Sequence, residues 1–118
     1  FFLVAAPASQ RELADGTETS LALWSRPADA LAAYRAGEHV LAPPTFRILE
    51  ELALRASVAE ALDHARSAAP PHAILPFPLA GAAMLTFVYP GDRDHPQAPG
   101  AGVDRLLLDG GRWRSERA

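Results

Sequence analysis

The sequence predicts an α/β protein, and three observations carry that reading. Apolar residues recur at helical spacing along the middle of the chain. Short apolar or alternating runs near both ends suit strands, and proline, glycine and aspartate separate the segments. Phe1 to Ala6 is a continuous apolar run of the kind a buried strand shows. A polar loop follows, with Pro7 and Gly16, and then Thr19, Leu21 and Leu23 alternate with Ser20, Ala22 and Trp24, a second expected strand.

A first helix is expected from Pro27, because proline costs nothing at a helix start, where its missing N–H has no acceptor. Ala28, Leu31 and Ala32 give it an apolar stripe, and Gly37 is its natural stop. "PPTFRILEELALRA" predicts a second helix with Thr45 as N-cap and Phe46, Leu49, Leu52 and Ala53 on one side. Ser57 and Glu60 form the S-x-x-E pattern of a capping box, opening a third helix with Val58, Ala61, Leu62 and Ala65 on its apolar face.

Beyond Ser67 the composition changes. "AAPPHAILPFPLAG" carries Pro70, Pro71, Pro76 and Pro78, which predicts an extended connector outside any sheet interior, lying over apolar surface through Ile74, Leu75 and Phe77. Met84 to Tyr89 reads as a strand, "PGDRDHPQAPGAG" as an exposed loop, and "VDRLLLDGGRWRSER" as a terminal hairpin turning at Asp109, Gly110 and Gly111. The expected organisation is residues 1–68 as one part and 69–118 as a connector with a β extension packed on it.

Length and composition narrow the function classes. The chain has 118 residues, 49% hydrophobic and 21% charged, which suits one domain with a real core. A formal net charge of -3 gives no electrostatic reason to expect nucleic acid or an anionic membrane as partner. All 11 basic residues are arginine. With no cysteine, a thiolate nucleophile, a disulfide framework and a Cys-ligated zinc site are excluded. "FFLVAAPA" is too short to span a bilayer and lacks the basic start of a signal peptide, so a cytoplasmic protein is expected. An opening on Phe1 rather than Met leads to the expectation of a C-terminal piece of a longer protein.

Candidate chemistry is sparse. Asp92, Asp94 and His95 sit close together, but their spacing fits no regular ligand pattern and Arg93 would repel a cation, so a solvated loop is expected. His39, His64 and His72 stand without a partner acid or nucleophile at recognisable spacing. Glu50 and Glu51 diverge as neighbours on a helix and cannot share a site. Arg112, Trp113 and Arg114 read as a strand with an aromatic packing on the hairpin. No nucleophile elbow and no Gly-rich phosphate loop occurs, so these residues alone do not make a complete active site.

A wider pattern is more informative. Phe1 and Phe2, then Glu18, Trp24, Pro27, Asp29, Ala30 and Leu31, then Gly37, Glu38, Leu41, Pro43, Pro44 and Thr45 follow one another in a set order. "YPGDRDHP" and "LLLDGGRW" close it. This order resembles the segment that follows the catalytic box in Nudix hydrolases, in particular the longer bacterial type related to the coenzyme A diphosphatases. His95 stands where that type usually has a tyrosine. The resemblance implies an α/β/α sandwich around a mixed sheet. It also implies hydrolysis of a nucleoside diphosphate linked to another group, with Mg²⁺ or Mn²⁺ as cofactor, a nucleotide-type small molecule as partner, and a homodimer among the expected assemblies. It puts Glu18 where several such enzymes carry an auxiliary loop carboxylate, acting as base or extra metal ligand. A structural acid that orients the loop is the alternative. The family's glutamate-rich box, whose carboxylates hold the metal, is absent from these residues, and the family's order puts it ahead of Phe1. A non-catalytic binding or regulatory domain on a Nudix-like scaffold is the competing expectation.

Overall fold

The computed structural model describes residues 1–17, 22–69 and 73–118. The chain divides into two compact units, Phe1–Ala69 and Pro70–Ala118. Described helices fall in the first and described strands in the second, so the α/β class predicted from the sequence is what forms.

In the first unit, α1 spans Pro27–Ala36, α2 spans Pro43–Ala53 and α3 spans Val58–Ser67. Pro27 opens α1, and Gly37 ends it with φ of 89°. The Gly37 and Glu38 amides donate back to Tyr34 and Ala33. Only glycine takes that left-handed conformation without a Cβ clash, which is why the helix stops there. The start of α2 differs from expectation. Ala42 is the N-cap and Pro43 the first helical residue, with no side-chain cap, so Thr45 falls inside the first turn. Two consecutive prolines pre-set the backbone for helix and remove N–H groups that a cap would otherwise serve. The core of this unit is where α1 meets α2. Leu31, Tyr34 and Phe46 are buried, and the Tyr34 and Phe46 rings lie 5.4 Å apart.

α3 begins as its capping signal predicts. Ser57 Oγ accepts the Glu60 N–H at 3.1 Å, and Glu60 Oε2 accepts the Ala56 N–H at 2.8 Å. No residue of α3 is buried, and Val58 on its apolar stripe is 65% exposed.

The two N-terminal strands do not form among the described residues. Phe1 to Ala6 is irregular and exposed, as are Ala22 to Arg26, while Thr19 to Leu21 lie outside the described residues. A strand needs a neighbour to take its N–H and C=O groups, and no described segment pairs with either run.

In the second unit, β1 is Phe77–Pro78, β2 Thr86–Val88, β3 Asp104–Asp109 and β4 Arg112–Arg117, ordered β1-β2-β3-β4 and antiparallel throughout, where the resemblance implies a mixed sheet. Pro78 stands on an edge strand, the position a sheet tolerates for proline. Leu75 and Ile74 are exposed instead of covering apolar surface; Leu75 is held through its main-chain carbonyl. The β3–β4 hairpin turns at Gly110 and Gly111, both with positive φ, as a tight two-residue turn demands. Val88 and Leu106 are buried, and Phe87 packs on Trp113 with ring centroids 5.9 Å apart. Trp113 thus serves hairpin packing, as expected.

Candidate functional site

Glu18, the one catalytic residue expected from the sequence, lies outside the described residues. The segments flanking it in sequence are tied together: the Trp24 indole N–H donates to the Glu12 carboxylate. Asp15 accepts the Thr17 amide at 2.9 Å, an Asx-type turn just before Glu18. Trp24 is 68% exposed, so its polar edge rather than its ring face makes the contact seen here.

Polar chemistry concentrates instead in the loop between β2 and β3. The sequence predicts an exposed, solvated loop there; the structure overturns this at two residues. Asp92 is fully buried and His95 is 3% exposed. The Asp92 carboxylate receives Arg105 Nε at 2.9 Å on Oδ2 and Arg105 Nη2 at 2.7 Å on Oδ1, a two-pronged pair. It also accepts the Asp94 amide at 2.9 Å and the Asp104 amide at 2.8 Å. Arg105 Nη2 reaches Asp94 Oδ2 at 2.9 Å as well. Burial works against ionisation of Asp92, but the Arg105 hydrogen bonds and the two amides outweigh it and hold the carboxyl below the usual carboxylate range. Hydrogen bonding to Asp92 in turn raises Arg105 above its ordinary value, against the cost of burying it.

Loop backbone closes around this pair. Gly91 N–H donates to Ala98 O at 2.9 Å, Arg93 N–H to Gly102 O at 3.0 Å, and Gly100 N–H to Asp92 O at 3.2 Å. A Cβ on Gly100 would sit 2.2 Å from Gly91 O, so the residue must be glycine for the strands of the loop to approach. His95 joins from the other side, with Nε2 2.9 Å from Leu75 O and its ring against Phe77 at 5.2 Å. The sequence could not show this centre, because Arg105 is thirteen positions from Asp92 and Leu75 twenty from His95.

The other sequence candidates stay apart. His39 is exposed, His64 contacts Arg55 at 3.3 Å, and His72 lies outside the described residues. Arg47 is 3.9 Å from Glu50, while Glu51 stays exposed. A cleft of about 580 Å³ in the first unit, bordered by Leu3, Val4, Arg26, Leu52, Arg55 and Val58, has neither a carboxylate nor an imidazole in its wall. Among the described residues, no group of three His, Asp or Glu side chains gathers as a metal site would require. Nor is any described helix long and apolar enough to cross a membrane.

No family model, curated protein or solved structure matches the chain.

Proposed function

We propose that these residues are the part of a Nudix-type hydrolase that follows its catalytic box, in a longer cytoplasmic protein that cleaves a nucleoside diphosphate linked to another group. The observation that carries the reading is an ordered set of structural punctuation at the residues of the resemblance. A helix opens on Pro27 and ends on Gly37, a second opens on Pro43, and the "PGDRD" loop folds around buried Asp92 before the closing hairpin.

Mg²⁺ or Mn²⁺ belongs to the proposal through the upstream glutamates only. The described residues do not fit such an ion, since Asp92 and Asp94 are both turned to Arg105 and no three-ligand group exists. This segment's own contribution is framework, with Glu18 as an auxiliary loop carboxylate that acts as base or as an extra metal ligand.

The missing donor set favours one second reading: a non-catalytic Nudix-like domain that binds a nucleotide or a protein. Sequencing the coding region ahead of Phe1, and assaying the longer product with nucleoside diphosphate conjugates, separates the two. An in-frame glutamate-rich box with metal-dependent phosphate-bond cleavage supports the hydrolase. Nucleotide binding without turnover supports the alternative.

A further inference from the structure

The hydrogen bonds of both His95 ring nitrogens go to main-chain groups. Nε2 lies 2.9 Å from Leu75 O, and Nδ1 accepts the Ala98 N–H at 2.9 Å and the Gln97 N–H at 3.3 Å. A carbonyl only accepts and an amide N–H only donates. These partners therefore put the proton of the neutral ring on Nε2 and leave Nδ1 as the acceptor.

We infer that His95 is a protonation-controlled latch, in which the neutral ring ties the 95–98 turn to the segment entering β1 and the imidazolium releases the turn. A second proton, on Nδ1, faces two N–H donors, so two hydrogen bonds become two donor–donor contacts. Surrounding charge does not offset this. Asp92 and Asp94 of the same loop are turned to Arg105 of β3, Arg93 is exposed, and Asp104 of β3 lies 3.6 Å from Arg117 of β4. Residues 73–78 and β2 carry no charged side chain. His72, three positions before Leu75, is outside the described residues. Release would loosen the Gly91–Ala98 pairing, which lies next to the latch, while Arg105 keeps its hold on Asp92.

The test is an NMR titration of the full chain from about pH 8 down to about pH 5. Long-range proton–nitrogen correlations report the tautomer, and hydrogen exchange, corrected for its intrinsic pH dependence, reports the amides. Expected are the Nε2–H form at the upper end and a loss of about tenfold in Gln97 and Ala98 protection as the ring is protonated, with Val88 and Leu106 unchanged. His95→Asn keeps an acceptor near the place of Nδ1 and cannot titrate, so its two amides should hold their protection to the acid end. An Nδ1–H tautomer, a ring that titrates without moving the two amides, or the same acid loss in His95→Asn would overturn the latch. If His95→Asn does not fold, the tautomer and amide data of the unaltered chain decide the matter alone.

Discussion

Arg105 and Asp92 form a two-pronged ion pair at 2.7 and 2.9 Å, with Asp92 fully buried and the Arg105 side chain 15% exposed. The pair joins β3 to the loop that precedes it, and the Asp94 and Asp104 amides fill the remaining carboxylate sites. Breaking such a pair from one side leaves an uncompensated buried charge. That cost exceeds what the intact pair contributes.

Asp92→Asn should therefore destabilise the second unit by about 3 kcal/mol. Asp94→Asn, at a side chain 47% exposed, should cost under about 1 kcal/mol. Chemical denaturation of the two variants beside the parent chain checks the ranking, and equal losses would remove Asp92 from the centre of the loop.

The pH dependence follows from the lowered Asp92 carboxyl. A group whose folded pKa is depressed contributes stability that is complete above its unfolded value, near pH 4, and is lost as pH falls through the folded one. The stability gap between the parent chain and Asp92→Asn should stay constant from about pH 7 to 5 and shrink below about pH 4. Thermal melts across that range measure it.

Two glycines separate crowding from backbone strain. Gly100→Ala places a Cβ 2.2 Å from Gly91 O and should cost about 2–3 kcal/mol, because main chain must move. Gly81→Ala meets no atom within 4 Å but has φ of 77°, so it should cost only about 1 kcal/mol. Melting temperatures of the two variants should fall in that order.

At the start of α3, Ser57→Ala removes the acceptor of the Glu60 amide. It should lower stability by about 1 kcal/mol, with a matching loss of helical circular dichroism. Ser57→Asp, which restores an acceptor and suits the helix dipole, should recover it.

Local punctuation was legible in the sequence. Pro27 and Gly37 bracket α1, Ser57 caps α3, and Gly110 with Gly111 turns the hairpin, because each acts through its own backbone geometry. Thr45 failed as a cap because Pro43 started the helix first. Phe1 to Ala6 has the composition of a strand but no described neighbour to pair with, and composition alone cannot supply one. The buried polar loop was hidden for the same reason: the contacts of Asp92 with Arg105 and of His95 with Leu75 join residues far apart in sequence. Aspartate, arginine and histidine in a glycine- and proline-rich segment otherwise read as surface.

The most direct test of the proposed function is hydrolysis of nucleoside diphosphate conjugates with Mg²⁺, comparing these 118 residues with the product translated from further upstream. Turnover is expected of the longer protein alone, reduced on the order of 100-fold in kcat by Glu18→Gln. Metal-dependent turnover by the 118 residues alone, or an inactive longer protein with no glutamate-rich box, would contradict it.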